Sequence, residues 1–199
     1  MRPRYRAITP ALIFVAAACL AAIPTPTLEW PYSRNSQLPS PDGRHIVYGE
    51  PSQRSIKETP ELWLRHRGRS DRKLLIRLGS TAKVLWFPDS RNFILIDRTS
   101  SSGMNSYVYD TEGRITLDMR TALLHTDIEL AAVANGHFYV EAQRLLDPNT
   151  LRVAVFGHTD EPPVRCFHFI YSIGRNGEIE RLSMRVSPAT ATACDETSE

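Results

Sequence analysis

Ser40-Pro41-Asp42-Gly43-Arg44-His45-Ile46-Val47-Tyr48 (SPDGRHIVY) and Phe87-Pro88-Asp89-Ser90-Arg91-Asn92-Phe93-Ile94-Leu95-Ile96 (FPDSRNFILI) repeat one pattern 47 residues apart. Each opens on a turn. Pro presets φ, the Asp side chain caps the turn it sits in, and Gly or Ser takes the awkward next position. Each turn then runs into β-branched, aromatic and aliphatic residues, which suit a pleated, half-buried surface. A third punctuation, Asp147-Pro148-Asn149-Thr150, follows 58 residues after Asp89 and lacks the Gly/Ser-Arg pair. After each turn come an apolar strand, a polar loop and a second strand. The last two units then reach Gly-containing turns, at Thr111-Glu112-Gly113 and at Asn176-Gly177.

Working outward, strand-forming stretches fill the chain: 45–48, 61–65, 74–78, 83–87, 92–97, 106–110, 137–142, 151–156, 165–173 and 178–184. Leu62 and Leu64 alternate with polar neighbours, the period of a strand with one buried face. Strands this closely spaced, with turn signals between them, predict an all-β fold. Only Ile115 to Leu130 is ambiguous, and its apolar spacing suits at most one short helix. Asn176-Gly177 predicts a type I′ hairpin, since both central residues tolerate positive φ. That register sets Arg175 opposite Glu178 and Cys166 opposite Ser187.

The two PD segments resemble the PD40 blade motif of TolB-like bacterial β-propellers, over residues 40–110. The resemblance implies that each motif sits on a turn between two strands of a four-stranded blade. Closed propellers usually have four blades or more, and this chain has room for about three. The expected architecture is therefore an open or partial propeller-like stack of antiparallel sheets, or a sandwich-like one. An open stack leaves unpaired edges, which a partner chain could complete.

The two ends of the chain read differently from its body. Arg2, Arg4 and Arg6 precede thirteen uncharged residues, Ala11 to Ile23. As a helix these span roughly 20 Å, short of the ~30 Å hydrocarbon core, so residues 1–22 are predicted to be a secretory signal. Ala16-Ala17-Ala18 and Leu20-Ala21-Ala22 both suit cleavage. Ala16-Ala17-Ala18-Cys19 also resembles a bacterial lipobox, which would make Cys19 a lipidation site and the protein an outer-membrane lipoprotein. Retention as an uncleaved anchor is the third alternative. Residues 23–39 are proline-rich and read as an extended lead-in. Residues 40–188 are the all-β repeat domain, and 189–199 a flexible acidic tail.

Composition narrows function. Hydrophobic residues make up 42% and charged residues 23%, which is ordinary for a globular protein. A body of roughly 150 residues can bury about 70% of its unfolded surface. Without the three leader arginines the balance is 21 basic against 22 acidic residues. A near-neutral body argues against nucleic acid as a partner, because that needs clustered positive charge.

No catalytic set stands out. Ser80-Thr81-Ala82-Lys83 matches S-x-x-K, yet Ser-Asp-Asn and Lys-Thr-Gly are missing and Lys83 leads a strand. His137, His158, Asp160 and His168 are residue types that zinc accepts, but no H-x-x-x-H or C-x-x-C spacing gathers them. The expectation is no metal, no cofactor and no catalytic residues. In an oxidising compartment Cys166 and Cys194 are expected to pair and pin the C-terminus to the sheet. The cluster 65–73 (RHRGRSDRK) sets five basic side chains against Asp71 between two strands. Arg65, Arg67, Arg69 and Arg72 are the candidate partner contacts, because guanidinium forks bind anions bidentately. The polar loop 99–105 is a second candidate. Together these predict an exported, non-catalytic binding module, periplasmic or secreted, of the inhibitor or immunity type, whose partner is another exported or envelope protein. The alternatives are a lipid-anchored structural accessory protein held to the membrane through Cys19, and a hydrolase using His158, Asp160 or His168.

Overall fold

The computed structural model describes residues 27–30, 37–51, 60–100, 103–135 and 137–188. The leader with Cys19, most of the proline-rich lead-in, Cys194 and the acidic tail lie outside the described residues.

The two PD turns close in the same way. Gly43 N–H donates to the Ser40 carbonyl at 2.8 Å, and Ser90 N–H donates to the Phe87 carbonyl at 3.0 Å. Asp42 accepts from Arg44 N–H at 3.0 Å and Asp89 from Arg91 N–H at 3.1 Å. The next position is left-handed in both, with Gly43 at φ 68° and Ser90 at φ 62°. The turns also touch, since Asp42 N–H donates to Ser90 Oγ at 2.9 Å.

Among the described residues, thirteen strands and two short helices follow in order. After β1 (Thr27–Trp30) come β2 (Gln37–Pro39), β3 (His45–Pro51), β4 (Pro60–His66) and β5 (Arg72–Arg77). Then come β6 (Thr81–Trp86), β7 (Asn92–Ser100), β8 (Gly103–Asp110) and β9 (Ile115–Asp118). Helices α1 (Met119–Thr126) and α2 (Ile128–Val133) lead to β10 (His137–Asp147), β11 (Thr150–His158), β12 (Arg165–Gly174) and β13 (Ile179–Pro188).

The pairing defines three four-stranded antiparallel units: β2–β5, β6–β9 and β10–β13. All three Asp/Pro turns join the first strand of a unit to its second. The three turns between third and fourth strands each carry a left-handed glycine: Gly68, Gly113 and Gly177. The first unit is a separate sheet. The second and third share one sheet through a short parallel contact, Phe138 opposite Gly103 and Tyr139 opposite Met104. Buried Ser106 bridges that seam, donating to the Val140 carbonyl at 2.9 Å and accepting from Ala142 N–H at 3.0 Å. Among the described residues β2–β5 does not pair with β10–β13, so the stack is open.

Alternation along the middle unit explains why it stacks. Val84, Trp86, Phe93, Leu95 and Tyr109 face the first unit and pack with Val47, Leu62 and Leu64. Leu85, Phe87, Ile94, Ile96 and Val108 face the other way and pack with Phe138, Val153, Phe169 and Tyr171. The period of a strand puts successive side chains on opposite faces, so one sheet supplies two cores.

The structure refines three expectations. The proline-rich lead-in contributes strands, as β1 pairs with β6 and β2 with β3. The ambiguous stretch 115–130 becomes β9 and then two helices, where at most one helix was expected. Asp118 caps α1 by accepting from Thr121 N–H, and Asp127 caps α2 by accepting from Glu129 and Leu130 N–H. Asp127 breaks the helical run at a point that apolar spacing does not reveal. The turn at Asn176-Gly177 is not type I′. Gly177 alone is left-handed, and its N–H donates to the Gly174 carbonyl at 2.8 Å, so Arg175 and Asn176 are the central pair. A bulge near Ile170 and Tyr171 then restores the expected register, and Cys166 does lie opposite Ser187.

Candidate anion-binding site

The arginine-rich segment is the end of β4, its turn and the start of β5. Register decides where its side chains go. Residues two apart on β4 share a face, and Tyr48 on β3 pairs with Trp63 on β4. On that face Arg65, Arg69 and Arg72 converge with Gln37, Tyr48, Gly49, Glu50 and Ser70 around an open pocket of about 460 Å³.

Aromatic rings hold two of the guanidinium groups. Arg65 lies 5.2 Å from the centre of the Tyr48 ring, and Arg72 lies 4.3 Å from that of Trp63. Arg72 also donates to Glu50 Oε2 at 2.5 Å, and Arg65 donates weakly to Gln37 Oε1 at 3.4 Å. Hydrogen bonds to Tyr48 and Glu50 push the Arg72 pKa further above its ordinary value, so it stays cationic. Arg65 Nε and Trp63 Nε1 are buried without a hydrogen-bond partner. With three guanidinium groups against one carboxylate, the pocket suits a carboxylate, phosphate or sulfate group.

The fourth predicted contact, Arg67, is not in this pocket. Its guanidinium lies beside Gly43, 3.8 Å from where a Cβ there would stand. The loop 99–105 connects second to third strand of its unit, so it lies at the opposite end from the Asp/Pro turns. Residues 101–102 of that loop are outside the described residues. At the turn end, Asp89 pairs with Arg175, and Arg175 N–H donates to the Asn149 carbonyl at 2.8 Å. That end is thus a linked surface of turns from all three units.

The other candidates fall as follows. Ser80 precedes a strand, β6, and Lys83 lies within it. Cys166 is buried, and its expected partner Cys194 lies outside the described residues. His137, His158 and Asp160 come together, with ligand atoms all within 4.8 Å of one another. His168 does not join them. It packs on Phe156, with ring centroids 6.4 Å apart, and burial, then Arg152 and Arg185, hold its pKa below the ordinary histidine value.

Sequence reading missed Tyr48, Glu50 and Trp63 as parts of the site, because they are neighbours of the arginines across strands. A full register for β3 and β4 would have shown Tyr48 beside Trp63. Among the described residues, no helix is long and apolar enough to cross a membrane.

No protein-family model matches this chain, and no curated protein matches it. Among solved structures it is similar to the β-propeller domain of the Trilobed protease from Pyrococcus furiosus, described as an open velcro topology. That likeness has a TM-score of 0.47 at 16% identity over 74% of this chain and 42% of the other. An acylaminoacyl peptidase in complex with Z-Gly-Gly-Phe-chloromethyl ketone gives a TM-score of 0.44 at 15% identity, over 76% of this chain and 25% of the peptidase. The Pyrococcus horikoshii acylaminoacyl peptidase gives 0.42 at 15% identity over the same shares. This chain spans less than half the length of each of these proteins.

Proposed function

We propose that the protein is an exported, non-catalytic binding module that grips an acidic group of a partner protein in the Arg65–Arg69–Arg72 pocket. The observation that carries this reading is the convergence of three guanidinium groups, two of them braced on aromatic rings, over one exposed face. Preordered guanidinium forks lose less side-chain entropy on binding than free ones. The basic, apolar leader supports export, and the PD turn motif supports a relation to PD40 propeller proteins. Export also suits a Cys166–Cys194 disulfide, which peptide mapping under non-reducing conditions would identify. Lipid attachment through Cys19 is the alternative mode of retention, read by palmitate labelling.

The test compares partner capture from the source's own envelope extract by wild type and by the triple variant Arg65→Glu, Arg69→Glu, Arg72→Glu. The expected result is a captured species that is lost, or bound at least about tenfold more weakly, by the triple variant. Arg67→Glu, which points away, should cost much less. Equal capture by wild type and triple variant would overturn the assignment of the pocket.

A further inference from the structure

We infer that His137, His158 and Asp160 form a binding site for a divalent transition-metal ion of the zinc class, at the opposite end of the stack from the arginine pocket. The inference stands on different residues from the function proposed above and does not depend on it.

Strand register puts the site together. His137 opens β10, His158 closes β11, and the two are directly opposed in an antiparallel pair. Opposed residues share a face of the sheet, and the rings stack loosely with centroids 4.5 Å apart at 40°. The approach of the two strands relies on Gly157. A Cβ there would fall onto the His137 carbonyl oxygen, and Phe167 closes the other side. Asp160 then reaches back from the loop after β11. Its Oδ1 lies 3.6 Å from His137 Nδ1 and 4.0 Å from His158 Nδ1.

These distances suit a shared ion better than direct contacts. Both exceed a hydrogen bond, so the carboxylate satisfies neither ring nitrogen. His137 Nδ1 is buried and has no hydrogen-bond partner. Leaving a buried polar atom unmatched is costly, and a metal bound to its lone pair would remove that cost. Tetrahedral zinc with ligands at about 2.0–2.2 Å holds them roughly 3.3–3.6 Å apart. The 3.6 Å from Asp160 to His137 Nδ1 already fits that geometry, and the ligand atoms of all three side chains lie within 4.8 Å of one another, so side-chain torsions alone would close the set. His158 Nδ1 lies 3.3 Å from the Thr159 carbonyl, so His158 would ligate through Nε2 or give up that weak bond. Two imidazoles and one carboxylate are also the donor set that zinc, cobalt and nickel accept, with a fourth position left for water or a partner's ligand.

Sequence spacing hides the site, because His158 stands 21 positions after His137, across a hairpin. The third histidine of the candidate set, His168, serves as an internal control, being on the neighbouring strand but outside the cluster.

The probe is Zn2+ in isothermal titration of the purified full chain, with Co2+ absorption as a second readout. The expected result is one ion per chain, with a cobalt spectrum of nitrogen and oxygen ligands and no sulfur-to-cobalt charge-transfer band. His137→Ala, His158→Gln and Asp160→Asn should each weaken binding at least tenfold, while His168→Ala leaves it unchanged. Circular dichroism of each variant must match wild type, and the conservative His158→Gln guards against loss of fold. Absence of stoichiometric binding, a thiolate band, or binding that survives both His137→Ala and Asp160→Asn would overturn the assignment.

Discussion

Two side chains depart from what their surroundings prefer. Ser90 holds φ 62° in the turn where the first unit has Gly43. A side chain there costs backbone energy, yet Ser90 Oγ recovers a bond from Asp42 N–H of the neighbouring unit. Ser90→Ala should lose that bond and keep the strain, whereas Ser90→Gly loses the bond and relieves it. Chemical denaturation should find the alanine variant less stable than the glycine variant by about 0.5–1 kcal/mol. Asp97 is the second case. It is 2% exposed, its Oδ1 has no partner, and burial raises its pKa to about 6. The folded protein therefore binds a proton more tightly than the unfolded chain. Stability from this residue is full below the ordinary carboxylate value of 3.8 and falls as pH rises to about 6. Asp97→Asn should stabilise the protein by roughly 1–3 kcal/mol at pH 7 and have little effect at pH 3.5. A stability gain that does not depend on pH would show that desolvation of the carboxylate is not the cause.

At the scale of elements, one residue ties the helices to the third unit. Asp127 caps α2, accepts from Tyr171 OH at 2.9 Å and pairs with Arg181 at 3.1 Å. Burial alone would raise its pKa, but the bonds from Leu130 N–H and Tyr171 OH and the charge of Arg181 hold it below the ordinary value. Its contribution is thus present at neutral pH and is lost as pH falls below about 4. Asp127→Ala should cost about 1–2 kcal/mol at pH 7, and amide exchange should speed up first in α2. The same scale shows why hairpins were legible and their details were not. The Asn176-Gly177 signal located the turn, and even the Cys166–Ser187 register, although the turn type differs. A bulge compensated for the changed turn, and a bulge is a packing response with no short sequence mark. At the Asp147–Thr150 turn, two register shifts likewise bring His137 opposite His158, where unbroken counting would set it opposite Asp160. The arginine site was half legible for the same reason. Arg65, Arg69 and Arg72 are close in sequence, whereas Tyr48, Glu50 and Trp63 join them only through strand pairing.

For the whole molecule, the open stack makes the middle unit the point on which stability turns. Trp86 and Phe93 are fully buried toward the first unit, and Ile94 and Phe87 are fully buried toward the third. These faces belong to the same strands, so the two cores cannot be lost separately without exposing one face of β6 and β7. Trp86→Ala removes a large ring from the first core only, and such truncations cost about 3–5 kcal/mol. If the units fold as one, that loss should appear undiminished in the third unit. Slowly exchanging amides of β11 and β12 should lose protection by about the same free energy as global unfolding monitored by circular dichroism. A stack of independent units would behave otherwise, with β2–β5 and the exposed face of β6 and β7 opening early while β11 and β12 kept full protection. The seam at Ser106 and the Asp89–Arg175 pair favour the first outcome, because both tie the second unit to the third with contacts that a slipped or separated sheet cannot keep.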